Sequence, residues 1–232
     1  MQLEVINLKK SFDNKEILKN INFTFEQGKI YGLLGRNGAG KTTFFNCLND
    51  DIKPDTGIFT IKEEGKTKPL TIEDIGYVLS TPVVPEFLTG REFLKFFLEI
   101  NEGKIKEPKE IDEYFKFMKI EEKDCDKLLK DYSHGMKNKM QMLVNIIANP
   151  NILLLDEPLT SLDVIVAEEM KEMLRGIKKD HILIFSTHIM DLALSLCDEI
   201  VILKNGTLSL VDSKIKGEER KEKIIEMLRE EN

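Results

Sequence analysis

The chain has 232 residues, of which 41% are apolar and 32% charged, and its 34 basic and 41 acidic side chains leave a formal charge of −7. That length makes one domain, or one with a subdomain, and buries an ordinary core; 14 glycines and 7 prolines are too few for a disordered or collagen-like polymer. Net charge of this sign is wrong for a protein held mainly on phosphate backbones, so no nucleic-acid partner is expected. No stretch approaches the ~18 consecutive apolar residues of a membrane-spanning helix, and the opening MQLEVINLKKSF is unlike a signal peptide, so the expected location is the cytosol. Cys47, Cys125 and Cys197 are odd in number and lack CxxC spacing, and they read as buried or idle thiols.

In chain order, LEVINL, ILKNINFTF (closing at Gln27 and Gly28), KIYGLLG and GIFTIKEEG carry β-branched and aromatic residues between turn signals and are predicted strands. From Leu88 onward LTGREFLKFFLEI and EIDEYFKFMKI place apolar residues three and four apart, the helical period, and a helical subdomain is predicted over 82–148. NILLLDEP and HILIFSTH are short apolar strands separated by the helical pattern VAEEMKEMLRGIKK, the alternation of a parallel sheet. EIVILKNGTLSLVD reads as a hairpin turning at Asn205 and Gly206, and KGEERKEKIIEMLREEN as a charged, mostly solvated helix over 213–232. The fold class is α/β with a helical insert, its core formed by 1–81 and 149–212.

Residues 35–42 spell GRNGAGKT, which satisfies GxxxxGK[ST] between the strand IYGLL and the helix-compatible TTFFNCLND. Gly35, Gly38 and Gly40, with Asn37 and Ala39 between them, let backbone N–H groups curl around phosphate oxygens, and the helix that follows adds its positive end. Lys41 reaches the β- and γ-phosphates, Thr42 offers a hydroxyl to Mg2+, and Thr43 continues the helix start. A Gly-rich turn that binds nothing is the plain structural alternative.

The strand at 152–155 ends in Asp156 and Glu157, where a parallel sheet opens its ligand crevice. Asp156 can hold Mg2+ and Glu157 can polarise the attacking water. Alone, such a pair is a loop start or helix cap; beside a phosphate loop it reads as catalytic. His188 ends the next apolar strand at the equivalent place and can orient the same water, the alternative being a surface or packed histidine.

These pieces, in this order, resemble the ATP-binding cassette family, the nucleotide-binding subunits of ABC transporters, across nearly the whole chain. YSHGM at 132–136 resembles the family's LSGGQ signature, LTSLD at 159–163 its D-loop, STH at 186–188 its switch-histidine loop, and IGYVLS at 75–80 ends at its Q-loop position. Phe12 stands where the family places the aromatic that stacks on adenine. The resemblance implies a single ATP-binding domain over 1–232 with a P-loop NTPase core, a mixed sheet, an N-terminal antiparallel β subdomain and the inserted helical subdomain. It also implies ATP and Mg2+ as cofactors, Thr42, Asp156 and Ser80 around the metal, Glu157 and His188 as catalytic residues, and Ser133, Gly135 and Asp163 on the nucleotide of a second subunit. The implied partners are another copy or a related ATP-binding subunit and a separate transmembrane permease, which would hold the protein peripherally on the cytoplasmic face of the cell membrane.

Four positions depart from the family pattern. Ser80 replaces the Q-loop Gln or Glu and is short for direct contact with Mg2+; His134 replaces the first signature Gly; Met136 replaces the signature Gln, as in exporter-like members; Ser161 replaces the D-loop Gly. Lys41, Thr42, Asp156, Glu157 and His188 are kept, and STPVVPEFLTGREFLKFF resembles exporter-type cassettes, so the expected function is the ATPase of an exporter. The alternatives are a cytosolic cassette protein of another class and a regulatory ATP-binding module with impaired turnover. A small GTPase is disfavoured, since NKMQ at 138–141 lacks the Asp of NKxD.

Overall fold

The computed structural model describes residues 1–105, 107–160 and 162–229. Ser161, one of the four departures, and the end of the last predicted helix lie outside the described residues. In chain order the elements are β1 (Gln2–Phe12), β2 (Lys15–Glu26), β3 (Ile30–Leu34), α1 (Lys41–Leu48), β4 (Thr56–Glu63), β5 (Lys66–Pro69) and β6 (Ile75–Val78). Then follow α2 (Gly90–Ile100), α3 (Ile111–Phe117), α4 (Glu122–Cys125) and α5 (His134–Ile147). The chain closes with β7 (Ile152–Asp156), α6 (Val164–Ile177), β8 (Ile182–Thr187), α7 (Met190–Leu196), β9 (Glu199–Lys204), β10 (Thr207–Leu210) and α8 (Gly217–Leu228).

Two sheets form. One is antiparallel in the order β2-β1-β4-β5; the other has the order β10-β9-β3-β8-β7-β6, parallel from β9 to β6 with β10 antiparallel on its edge. Every residue of β3, β7 and β8 is buried, as continuous apolar runs covered on both faces require. Side chains alternate between two cores. Ile152, Leu154, Ile182 and Ile184 pack with Phe44 and Phe45 of α1 and with Leu3, Leu18 and Phe25 of the antiparallel sheet. Leu153, Leu155, Leu183 and Phe185 face the opposite way, toward helical residues such as Leu94, Met140, Leu143, Met170 and Leu174.

Local chemistry sets the helix starts. Thr89 and Glu92 form a reciprocal capping box on α2, Glu92 N donating to Thr89 Oγ1 at 3.1 Å and Thr89 N to Glu92 Oε2 at 2.8 Å. Ser133 caps α5 and Asp163 caps α6. Asn205 and Gly206 both adopt positive φ (51° and 82°), the two-residue turn predicted between β9 and β10.

Among the differences from the sequence reading, two stand out. β5 is an unpredicted edge strand, KTKP, exposed throughout and joined to β4 through Glu64 and Gly65; with no buried face it carries no alternation to read. The last helix is mostly solvated, as its charges predict, but it is also anchored: Ile224 is fully buried and Met227 and Leu228 pack against the core. The three cysteines are free and buried, and burial raises the thiol pKa of each, to about 11 for Cys47 and about 12 for Cys197.

Asp74 ties the site-bearing edge together. It accepts from Lys68 Nζ (2.6 Å), Thr71 Oγ1 (2.8 Å) and Asn151 Nδ2 (2.7 Å), linking the start of β6 to the residue before β7. Burial pushes this carboxyl up, but the bonds from Lys68, Thr71 and Asn151 outweigh it and hold the group below the usual carboxylate range. Asp74→Ala is expected to lower stability by about 1–3 kcal/mol at neutral pH. Because the native pKa is depressed, the gap between wild type and variant should be full above about pH 4 and shrink as pH falls through the native value. Urea unfolding at pH 7 and pH 3 measures it.

Candidate functional site

The phosphate loop leaves the carboxyl end of β3 and enters α1. A Cβ on Gly35 would come within 2.8 Å of Leu203 O, and one on Gly40, which adopts φ 104°, within 2.8 Å of Ile17 Cγ2, so packing demands glycine at both. Lys41 opens α1 and is buried, its Nζ donating to Gly35 O at 2.9 Å and to Arg36 O at 3.4 Å and lying 3.6 Å from Glu157 Oε1. A buried ammonium needs such partners.

Beside the loop lies a cleft of about 420 Å3 lined by Phe12, Ile17, Asn37, Gly38, Gly40, Lys41, Thr42, Thr43, Ser80, Asp156 and Glu157. Phe12 reaches it from the β1–β2 hairpin, with 43% of its surface exposed and the Lys10 ammonium 5.1 Å from its ring centroid. Ser80 reaches it from beyond β6, where the Gln141 amide of α5 brackets Leu79 once its oxygen and nitrogen are exchanged, the nitrogen then donating to Leu79 O at 3.3 Å and the oxygen accepting from Leu79 N at 3.2 Å.

At the carboxyl ends of β7 and β8 the polar groups converge. Thr42 Oγ1 donates to Asp156 Oδ2 at 2.9 Å, and Ser186 Oγ donates to Asp156 Oδ1 at 2.5 Å. Glu157 N is bonded to both Ser186 Oγ (3.1 Å) and Ser186 O (3.2 Å). Glu157 adopts φ 49° immediately before Pro158, a left-handed backbone that costs a non-glycine residue roughly 1–3 kcal/mol. Its carboxylate faces Lys41 on one side and His188 on the other, His188 Nδ1 lying 3.0 Å from each oxygen. A carboxylate accepts, so Nδ1 is the donor and Nε2 is left to face other partners. Burial, with the charges of Asp156 and Asp51, pushes the Tyr77 hydroxyl up, and it donates to Asn46 Oδ1 at 3.1 Å.

The predicted residues divide into two groups. Phe12, Asn37, Gly38, Gly40, Lys41, Thr42, Thr43, Ser80, Asp156 and Glu157 share the cleft, with His188 joined through Glu157. Gly35 lies behind the loop against Leu203, and Ala39 lines an adjoining hollow of about 400 Å3 on the loop's other side. Ser133, Gly135 and Asp163 do not line the cleft. Ser133 Oγ accepts from Met136 N at 3.2 Å, leaving its own proton free to donate, and the first N–H groups of α5 point off the helix end. Asp163 Oδ1 accepts from Val166 N at 3.0 Å. A Cβ on Gly135 would meet only Val166 at 3.4 Å and Leu162 at 3.6 Å, so folding does not demand glycine there, and its absence of side chain keeps the helix tip open. His134 is helical and is not among the positive-φ residues, so it needs no left-handed backbone. Residue-type reasoning missed Ile17, Gln141 and Ser186. Only Ser186 carried a signal, as a polar residue closing an otherwise apolar strand.

A family model described as ABC transporter matches residues 18–160. The ABC transporter ATP-binding protein YxlF of Bacillus subtilis is 36% identical over 208 residues, covering 89% of this chain and 69% of that protein. The Nod factor export ATP-binding protein I of a Rhizobium species is 33% identical over 210 residues, covering 88% and 68%. A solved ATP-binding subunit of an ABC transporter superposes with a TM-score of 0.81 over 99% of this chain and all of that one, at 24% identity. A dimeric post-hydrolysis ATP-binding cassette bound to ADP and Pi superposes at 0.74 over 89% of this chain and 96% of that one, at 21% identity, so both structures speak to the fold. The phosphate loop, the acidic strand end and the family match together place this chain in the ABC transporter family, as an ATP-binding subunit of the ABC ATPase type.

Proposed function

We propose that this chain is the ATP-hydrolysing motor of an exporter, working as a dimer of two copies, or with a related ATP-binding subunit, beneath a separate transmembrane permease on the cytoplasmic face of the membrane. The observation that carries the reading is the meeting of Thr42, Asp156, Glu157, Lys41 and His188 at one end of the cleft. Among the described residues no helix is long and apolar enough to cross a membrane. The exporter direction draws support from the Nod factor export relative and from the segment at 80–97.

Phe12 stacks on adenine, and the N–H groups of residues 35–43, with Lys41, hold the phosphates. The donor set fits Mg2+. Thr42 Oγ1 and an Asp156 oxygen, 2.9 Å apart, are hard oxygen ligands, and among the described residues no group of three or more His, Cys, Asp or Glu forms an all-protein cage. One carboxylate and one hydroxyl, with Ser80 through water, leave the remaining positions to water and phosphate, as Mg2+ prefers. The bound ion would neutralise charge on the phosphates. Glu157 accepts a proton from the attacking water, and His188 Nδ1–H keeps that carboxylate turned toward the cleft. Ser133, the N–H groups around Gly135, and Asp163 face the nucleotide of the partner, which makes ATP the bridge between subunits. Loss of the γ-phosphate bond releases the bridge and drives the permease.

Glu157→Gln should bind MgATP normally and lose about 100-fold or more in kcat, read by phosphate release; a wild-type rate would remove Glu157 from its role. The same variant should dimerise when ATP is added in light-scattering measurements, and a sample that stays monomeric at saturating ATP would count against the bridged dimer. Phe12→Ala should weaken ATP binding about fivefold, roughly 1 kcal/mol, with little base selectivity; calorimetry showing an unchanged Kd would place the base elsewhere.

A further inference from the structure

We propose that Ser186 is a positioning residue that sets the geometry of both acidic groups in the cleft. The inference rests on the ATPase reading above. Ser186 is fully buried and stands in register with Asp156 across the parallel β7–β8 pair. Its Oγ lies 2.5 Å from Asp156 Oδ1 and 3.1 Å from Glu157 N. An amide N–H can only donate, so it occupies a lone pair of the hydroxyl, and the hydroxyl proton is thereby committed to the Asp156 carboxylate. The Ser186 carbonyl accepts from the same Glu157 N–H at 3.2 Å. One residue therefore holds the side chain of the first acid and the backbone of the second.

Both consequences bear on chemistry rather than on strand pairing. Asp156 is gripped at Oδ1 by Ser186 and at Oδ2 by Thr42, so its carboxylate plane is fixed at two points. Without the serine hydroxyl the group is free to turn about the Thr42 bond, and a metal ligand that can turn binds and orients its ion less well. Glu157 holds a left-handed φ of 49° ahead of a proline, a conformation that survives only where neighbours over-determine it, and the two bonds to Ser186 are those neighbours. The next residue extends the arrangement. Thr187, also buried, accepts from Ile189 N at 3.0 Å and holds the turn that aims His188 at Glu157. The backbone bond from the Ser186 carbonyl does not need the hydroxyl, so Ser186→Ala leaves the β7–β8 ladder complete.

The test compares wild type, Ser186→Ala and Ser186→Thr in four measurements: kcat and KM for ATP, the Mg2+ concentration giving half-maximal turnover, ATP affinity in EDTA, and thermal unfolding. Ser186→Ala should lose about tenfold in kcat and require about tenfold more Mg2+, with KM, Mg2+-free ATP affinity and a cooperative unfolding transition retained. Ser186→Thr keeps the hydroxyl and should recover most of both losses. A wild-type kcat and Mg2+ requirement in Ser186→Ala overturns the inference. So does an equal loss of Mg2+-free ATP binding, which would mark a general structural role, and so does a threonine variant that behaves as the alanine one. If the wild-type chain itself shows neither Mg2+-dependent nucleotide binding nor turnover, the ATPase reading falls and takes this one with it; an active wild type beside an unaltered Ser186→Ala overturns this inference alone.

Discussion

The side-by-side pairing of β7 and β8 is the constraint on which the site depends. Parallel strands in register bring Asp156 opposite Ser186, and the neighbouring β3 delivers the phosphate loop to the same edge of the sheet. Each of these strands is buried on both faces, so a slip of one residue would exchange Leu153 and Leu155 with Ile152 and Leu154 between two cores of different shape. The hydrophobic pattern thus protects a polar geometry: Thr42 reaches Asp156 only while both sheet faces remain packed.

That geometry concentrates charge where water is scarce. Lys41 and Asp156 are both buried, and each is hydrogen-bonded within the site. The Lys41–Glu157 contact matters in this light, since a buried cation left unpaired would cost several kcal/mol, on the order expected for any desolvated charge. Phosphate oxygens arriving at the loop offer Lys41 a stronger anion than Glu157, so a nucleotide would release the glutamate toward the water that it is proposed to activate. The left-handed backbone of Glu157 belongs to the same economy of strain, because the surrounding bonds hold a conformation that the residue would not adopt alone.

A second surface lies elsewhere on the chain, and its parts touch one another. The tip of α5 at Gly135 packs on Leu162 and Val166 at the start of α6, so the segment resembling the signature and the segment resembling the D-loop form one patch. Among the described residues of the two segments, none lines the cleft of its own chain. The two helix ends capped by Ser133 and Asp163 are exposed, and under the proposed dimer they would complete a site on another subunit.

Residues whose conformations depend only on their neighbours in the chain were legible without coordinates. GRNGAGKT needs glycine for a local turn and a helix start; ILLLD and ILIFST reveal buried strands by their unbroken apolar runs; Asn205 and Gly206 announce a two-residue turn. Contacts between distant residues were not legible. Thr42 meets Asp156 across 114 positions and Ser186 meets Asp156 across 30, and no periodicity encodes a side-chain bond over such separations. The same limit hid β5, which has no buried face, and the anchoring of α8 through Ile224, where one buried residue is lost among charges. The sequence by itself determined the phosphate loop, the acidic strand end and the order of most of the elements, because each follows from local backbone preference and apolar period. Only the tertiary structure decided which acid is gripped by which hydroxyl, because that depends on strand register and on the packing of two cores that hold it.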